Sequence, residues 1–190
     1  MKCETIVHTF KPRRAVFLDR DGTLIEDNGY IDRIEDVFIY PFTVDALQLL
    51  QKEFLLFIVT NQSGVGLGKI SGESAENINQ HVRSVLQSHG IKIQRIFCCS
   101  HSRDDACECI KPKPYFLLKA MELYNIDIAR SYTIGDHPHD VAFGENAGAT
   151  GLYVLTGHGR KHVEELPPGA NIFSNLYDAA LWILQRSEGE

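Results

Sequence analysis

The residues Asp19–Thr23, which directly follow the apolar run Ala15–Leu18, constrain the fold of this chain more than any other stretch. A short, continuous apolar run that ends abruptly in polar residues indicates a buried strand of a parallel sheet. Two carboxylates one residue apart, Asp19 and Asp21, stand at its end, and Gly22 then allows a tight turn. Because ligands of open α/β sheets bind at the carboxyl ends of the strands, this position predicts a functional site.

Two other interpretations of this stretch are weaker. A calcium loop of the EF-hand type also begins Asp-x-Asp, but it has glycine in sixth place and a helix in front. Here Gly22 is fourth, and a predicted strand precedes. An ordinary solvated turn is the other alternative, but two acids against a buried strand end are costly unless a cation lies between them. We therefore favour a cation-binding site.

The composition suits one globular domain that spans residues 1–190, since 44% of the 190 residues are hydrophobic and 23% are charged. The formal net charge of −6 argues against a nucleic-acid-binding face, whose affinity comes mainly from neutralised phosphates. No apolar stretch approaches the roughly 20 residues that span a bilayer, and the N-terminus lacks the apolar core of a signal peptide. We therefore expect a cytoplasmic protein without nucleic-acid or membrane contacts. No heptad stripe demands a partner, so we expect a monomer.

Strands and helices alternate along the rest of the chain. Alternation of this kind implies parallel pairing and right-handed crossovers, so we predict an α/β fold with a doubly wound, Rossmann-like parallel sheet. In the last helix, Leu181 and Trp182 or their neighbours are expected to pack inward. Strands are predicted over 15–18, 54–60, 93–98, 132–135, 152–155 and 171–173, and helices from Thr43 as a cap, over 71–90, 114–124, 138–147 and 176–184.

A glycine-rich segment, 63–69, suggests a nucleotide-binding loop at first sight. It matches neither the P-loop nor the dinucleotide-binding pattern, because both need glycines at positions where this chain has none. Two interpretations stay open: a loop whose backbone approaches a ligand closely, or simple flexibility.

Polar residues recur at or just after the ends of several predicted strands: Asp19 with Asp21, Thr60 with Asn61, then Lys111, and finally Asp136 with Asp140. Together they resemble, motif by motif, the haloacid dehalogenase superfamily of phosphotransferases. Asp19–Thr23 is similar to its first motif, Thr60 to its second, Lys111 to its third, and Asp136 with Asp140 to its fourth. The resemblance covers nearly the whole chain.

This resemblance implies a magnesium-dependent phosphatase with an aspartyl-phosphate intermediate. Magnesium would be held by Asp19, the main-chain carbonyl of Asp21 and Asp136, with Asp140 in support. Asp19 would attack phosphorus, and Asp21 would serve as general acid and then base, so we expect surroundings that favour its neutral form. Thr60 and Lys111 would bind the phosphoryl oxygens, and Asn61 is expected to contact substrate.

A second constellation consists of Cys99, His101, Cys107 and Cys109. Three thiols and an imidazole are a ligand set that structural zinc uses, and the alternative is four unligated side chains. Zinc on this loop would fix the approach of Lys111 to the phosphate. Cys98 points to the opposite side of its strand, so it is expected to pack inward, and Cys3 stands alone.

The phosphatase motifs and the cysteine-rich motif together resemble a narrower group, the heptose bisphosphate phosphatases and the related histidinol-phosphate phosphatases. Members of this group lack a large cap domain. A small phosphorylated metabolite such as D-glycero-D-manno-heptose 1,7-bisphosphate is the implied substrate; the alternatives are histidinol phosphate, a polynucleotide 3′-phosphate, or a scaffold without turnover. Two positions depart from the group, since Ile110 and Leu67 stand where Arg is usual. Recognition of a second phosphate is therefore open, with Lys69, Lys113 or His137 as substitutes.

Overall fold

A computed structural model describes residues 11–187. Its centre is a parallel sheet of six strands in the order β3-β2-β1-β4-β5-β6, which is the doubly wound arrangement predicted from the sequence. The strands are β1 (Ala15–Leu18), β2 (Leu55–Asn61), β3 (Ile93–Cys99), β4 (Tyr132–Gly135), β5 (Thr150–Val154) and β6 (Asn171–Phe173). The helices are α1 (Thr43–Leu50), α2 (Ser63–Gly66), α3 (Gly72–Ser88), α4 (Tyr115–Tyr124), α5 (Pro138–Glu145), α6 (Gly159–His162) and α7 (Leu176–Ser187).

The strands β1, β4 and β6 have the predicted bounds, and the others differ by one or two residues. The prediction that Thr43 caps α1 is wrong. Thr43 is already helical, and its Oγ1 donates to the carbonyl of Leu24 at 2.9 Å instead of accepting from the helix. In contrast, Ser71 caps α3 as expected, since its Oγ accepts from the main-chain N–H of Ser74.

The glycine-rich segment is more ordered than a flexible loop, because its first part forms the short helix α2. Gly66 at the end of α2 packs directly against the main chain of Ser102, where a Cβ would clash. The segment therefore supports the loop that carries the cysteine-rich motif.

The core consists of two apolar clusters, and β1 contributes alternate residues to each: Val16 and Leu18 to one, Ala15 and Phe17 to the other. This double burial explains why the β1 sequence is apolar throughout. In α7, the buried residues are Leu176, Ala179, Ala180 and Ile183. Leu181 is exposed, and it is the partly buried Trp182 and the neighbours Ala180 and Ile183 that pack inward, which was the alternative left open.

The prediction for Cys98 is half right. It lies on the opposite side of β3 from Cys99, but Cys99 is the fully buried residue and Cys98 is only partly buried. Cys3 lies outside the described residues.

The connection between β1 and α1 holds only isolated bridges and one short helical turn, Ile34–Asp36, so no cap domain stands there. Within residues 11–187, no helix is both long and apolar enough to cross a membrane.

Candidate active site

The carboxyl ends of β1, β2 and β4 bring the predicted residues to one edge of the sheet. Leu18 of β1 is paired with Ile58 of β2 and with Ile134 of β4, so the residues that follow these positions meet side by side. Lys111 reaches the same point from the loop after β3, and Asp140 from the first turn of α5. All seven predicted residues are thus near one another: Asp19, Asp21, Thr60, Asn61, Lys111, Asp136 and Asp140.

Lys111 is the cation at the centre of this site. Its ammonium group is 2.5 Å from Oδ1 of Asp19, 2.6 Å from Oδ1 of Asp140 and 2.9 Å from the carbonyl oxygen of Val59. Burial acts to lower the pKa of Lys111, but the carboxylates of Asp140 and Asp19 more than compensate and raise it above its ordinary value. Lys111 therefore stays positively charged although it is only 6% exposed.

Asn61 forms two hydrogen bonds with the main chain of Lys111, while its expected contact with substrate stays a prediction. Its side-chain amide accepts from the main-chain N–H of Lys111 at 3.1 Å and donates to the carbonyl of the same residue at 3.3 Å. This reciprocal pair holds the backbone of the lysine against the end of β2. Asn61 therefore positions Lys111, although it also lines the cleft.

Three carboxylates lie close together beside Lys111, which contacts two of them, Asp19 and Asp140. Oxygens of Asp19, Asp136 and Asp140 lie within 4.8 Å of one another. Burial, together with the neighbouring acids, raises the pKa of Asp136 to about 8, and burial raises that of Asp19 to about 7. An excess of buried negative charge with oxygen donors is what a hard divalent cation would neutralise, so these residues fit magnesium.

Glycines make room for these carboxylates. Gly22 has φ +80, a conformation that L side chains rarely adopt, and a Cβ there would clash with the carboxylate of Asp136. A Cβ at Gly135 would likewise meet the carboxylate of Asp140. The turn that follows β1 therefore requires glycine for both its conformation and its closeness to the acids.

Hydrogen-bond donors surround the carboxylate of Asp21. The guanidinium of Arg20 donates to its carboxylate at 3.0 to 3.2 Å, and Nε2 of Gln62 donates at 2.8 Å. Thr60, which is fully buried, lies 3.4 Å from the same carboxylate. These donors orient the Asp21 carboxylate, and the expectation that its surroundings favour the neutral form stays a prediction.

The four predicted zinc ligands lie together on the loop after β3. Sγ of Cys99 is 3.6 Å from Nδ1 of His101 and 3.8 Å from Sγ of Cys107, and Sγ of Cys109 is 3.2 Å from Cys99 and 3.3 Å from His101. With Zn–S of about 2.3 Å and Zn–N of about 2.0 to 2.1 Å, tetrahedral ligands are roughly 3.5 to 3.8 Å apart. The set could therefore hold one metal ion. Burial raises the pKa of the Cys99 and Cys109 thiols.

An open cleft of about 420 Å³ leads to the site. Its walls include side chains to which no role was assigned from the sequence: Tyr30, Asp27, Gln62, Arg103, His139 and His158. Gln62 follows directly on the polar strand end Thr60–Asn61, and Arg103 lies between two zinc-ligand positions of the loop that carries Lys111. Both sequence positions could have indicated proximity to the site.

Comparisons with known proteins show which family this chain is similar to. The family model described as HAD-hydrolase-like matches residues 108–179. The D-glycero-beta-D-manno-heptose-1,7-bisphosphate 7-phosphatase of Haemophilus ducreyi is 37% identical over 154 residues, which cover 76% of this chain and 85% of that protein. The histidine biosynthesis bifunctional protein HisB of Blochmanniella floridana is 34% identical over 143 residues, which cover 73% of this chain and 40% of that protein.

A solved structure extends the likeness to the fold. The crystal structure of D,D-heptose 1.7-bisphosphate phosphatase from B. bronchiseptica, complexed with magnesium and phosphate, superimposes with a TM-score of 0.84. The two sequences are 29% identical, and the match covers 91% of this chain and 99% of that one. The similarity in fold thus extends over most of both chains.

Proposed function

This chain belongs to the haloacid dehalogenase (HAD)-like phosphatase family, together with the D-glycero-D-manno-heptose-1,7-bisphosphate 7-phosphatases, and we propose that it hydrolyses a small sugar phosphate such as D-glycero-D-manno-heptose 1,7-bisphosphate. The observation that carries the proposal is the contact of Lys111 with both Asp19 and Asp140, beside the carboxylate of Asp136. Phosphoryl transfer depends on positioning and on compensation of negative charge, and this cluster supplies both.

Asp19 is the nucleophile in this proposal. One of its carboxylate oxygens forms a bond to phosphorus while the bond from phosphorus to the leaving oxygen breaks, and Asp21 donates a proton to that oxygen. Asp21 then takes a proton from water as the water oxygen attacks phosphorus. The bond between phosphorus and the Asp19 oxygen breaks, so that inorganic phosphate is released and the carboxylate is regenerated.

The other residues serve these steps. Lys111 neutralises Asp19 before the reaction and stabilises charge on the phosphoryl oxygens, and Thr60 is close enough to Asp21 to help orient it. Magnesium would be held by Asp19, Asp136 and the carbonyl of Asp21, with Asp140 in support, and it would supply positive charge to the phosphoryl oxygens. The crowding of three carboxylates in the site supports this part of the proposal.

Zinc at Cys99, His101, Cys107 and Cys109 would be structural, since the four donors close the site among themselves. It would tie down the loop two residues before Lys111. Elemental analysis of the purified protein should then find about one zinc per chain. Free thiols of this kind persist in a reducing compartment, so we also propose a cytoplasmic location.

Histidinol phosphate is the second candidate substrate, because the similarity to the HisB protein covers nearly three quarters of this chain. A magnesium-dependent assay of p-nitrophenyl phosphate, the heptose 1,7-bisphosphate and histidinol phosphate would separate the two. The proposal predicts the largest kcat/KM for the heptose bisphosphate. Release of phosphate from none of the three substrates by the zinc-loaded protein would contradict it and favour a scaffold.

A further inference from the structure

We propose that Arg103 binds a second phosphate group, carried by the part of the substrate that leaves when Asp19 attacks. The inference rests on the proposed function, because it assigns a specificity residue to the same cleft. Arg103 lies on the loop between β3 and α4 and lines the cleft together with Asp19 and Lys111. Ile110, where the related phosphatases usually have arginine, lines the cleft as well but has no charge to offer.

The backbone on both sides of Arg103 is held in place. The side chain of Asp105 accepts from the main-chain N–H of Ser102 at 2.7 Å and from its hydroxyl at 3.0 Å, which closes a turn around Arg103. The main chain of Ser102 packs against Gly66 of α2. His101 and Cys107, two members of the metal-ligand set, flank the turn. The guanidinium is therefore presented from an anchored loop.

Among the described residues, Arg103 makes no ion pair, and its side chain is exposed to the cleft. The other cations of this region are already engaged. Lys111 is bound to Asp19 and Asp140. Lys113 is 3.0 Å from Glu108 and donates to the carbonyl of Cys107, so it braces the loop instead of facing substrate.

Lys69, another possible substitute for the missing arginines, lies with its ammonium 4.5 Å from the ring centre of Tyr30. A cation over an aromatic face already has a favourable partner. Arg103 is left as the cleft-lining guanidinium whose fork of N–H donors can engage a phosphate in bidentate fashion.

His137 adds an N–H donor to this wall. Its Nδ1 accepts from the main-chain N–H of His139 at 3.2 Å, so the ring carries its proton on Nε2. Both histidines line the cleft with Arg103. A guanidinium and an imidazole N–H suit an anionic leaving group, whereas the cationic side chain of histidinol phosphate would be repelled by Arg103.

The test compares two substrates that differ only in the second phosphate: D-glycero-D-manno-heptose 1,7-bisphosphate and the corresponding 7-phosphate. The measured quantity is the ratio of kcat/KM for the bisphosphate to that for the monophosphate. Because a charged hydrogen-bonding partner is lost, Arg103→Met should lower this ratio by about 10- to 100-fold, and Arg103→Lys should lower it less. Arg186→Met on α7, a residue that does not line the cleft, is the control and should leave the ratio unchanged.

Each other result has a definite meaning. If the wild-type protein prefers the bisphosphate and Arg103→Met keeps the same ratio, the assignment of Arg103 is overturned while the proposed function stands. If the wild-type protein hydrolyses p-nitrophenyl phosphate but neither heptose phosphate, the sugar substrate itself is wrong. An equal loss toward both substrates would show that Arg103 supports the site generally and does not select for the second phosphate.

Discussion

The guanidinium of Arg20 donates hydrogen bonds of 3.0 to 3.2 Å to the carboxylate of its sequence neighbour Asp21. Nη1 of the same guanidinium donates to Oδ1 of Asn79 at 2.7 Å. Arg20 is 1% exposed, so it reaches from the protein interior to the Asp21 side chain, which lines the cleft. The side chain that delivers a proton in the proposed reaction is therefore oriented from behind by a buried cation. Arg20 acts through Asp21 and is a positioning residue.

Replacing Asp21 by Asn should remove the proton donor and leave the fold intact. Because a well-placed general acid contributes roughly 10²- to 10⁴-fold, kcat toward an alkyl phosphate should fall by about that factor. The loss toward p-nitrophenyl phosphate should be smaller, since that leaving group departs without a proton. Thermal unfolding controls for the fold, and an unchanged rate with the alkyl substrate would remove Asp21 from its role.

Arg20→Met should also lower kcat more with the alkyl phosphate than with p-nitrophenyl phosphate, but the loss should be smaller than in Asp21→Asn. Loss of hydrogen bonds to a charged partner predicts a decrease of about 10- to 100-fold with the alkyl phosphate. Asn79→Ala, which removes only the anchor behind Arg20, should have a weaker effect in the same direction. Equal losses with alkyl and aryl substrates would mean that Arg20 supports the core and does not act through Asp21.

Gly22→Ala tests the closeness of the first turn to the acids, with Gly169→Ala as a matched control. Both glycines have positive φ, +80 and +86, so alanine at either should cost about 1 to 2 kcal/mol of stability. Only at Gly22 would the added Cβ meet the Asp136 carboxylate. Activity and magnesium affinity should therefore fall in Gly22→Ala alone, as measured by kcat and by isothermal titration calorimetry. Equal activity in the two variants would contradict the geometry.

The crowded carboxylates predict an unusual pH dependence of stability. The pKa of Asp136 rises from 3.8 to about 8, mainly through burial, so the folded protein binds more protons than the unfolded chain across this range. Stability of the metal-free protein should consequently fall as pH rises toward 8. Burial lowers the pKa of His137 from 6.5 to about 4, which gives the opposite slope below pH 6.5. Between about pH 6.5 and 8, the slope from Asp136 is thus not opposed by that from His137.

In that window, Tm of the metal-free protein should decrease with pH, and magnesium should raise Tm most at the upper end. Asp136→Asn should reduce the slope because it removes one of two buried carboxylates with a raised pKa; Asp19, whose pKa is raised to about 7, should retain part of it. A Tm that rises from pH 6.5 to 8 without metal would disprove this account of the site's charge.

Much of the fold was predictable because the relevant signals are local. The apolar run of β1 and its abrupt end located both the central strand and the site, and four motifs at strand ends met as expected because parallel strands share one carboxyl edge. The bounds of β2, β3 and β5 shifted slightly, since hydrogen-bond pairing and not hydrophobicity decides where a strand ends.

The partners of polar side chains were less predictable. Thr43 bonds to a distant carbonyl instead of capping its helix, and Asn61 clamps the main chain of Lys111. The buried pair of Arg20 with Asp21 and the cleft position of Arg103 depend on tertiary contacts. No periodicity or propensity carries that information, because each of these contacts joins the residue to its surroundings only after the chain has folded.

The most direct test of the central claim is to identify the phosphorylated residue during turnover. The protein is mixed with saturating substrate and magnesium, quenched within the first turnovers, and treated with sodium borohydride, which reduces an aspartyl phosphate to homoserine. Peptide mass spectrometry should then find homoserine at position 19 and at no other aspartate, and none in Asp19→Asn. Steady release of phosphate with no modification at Asp19 would contradict the assignment of Asp19 as the nucleophile.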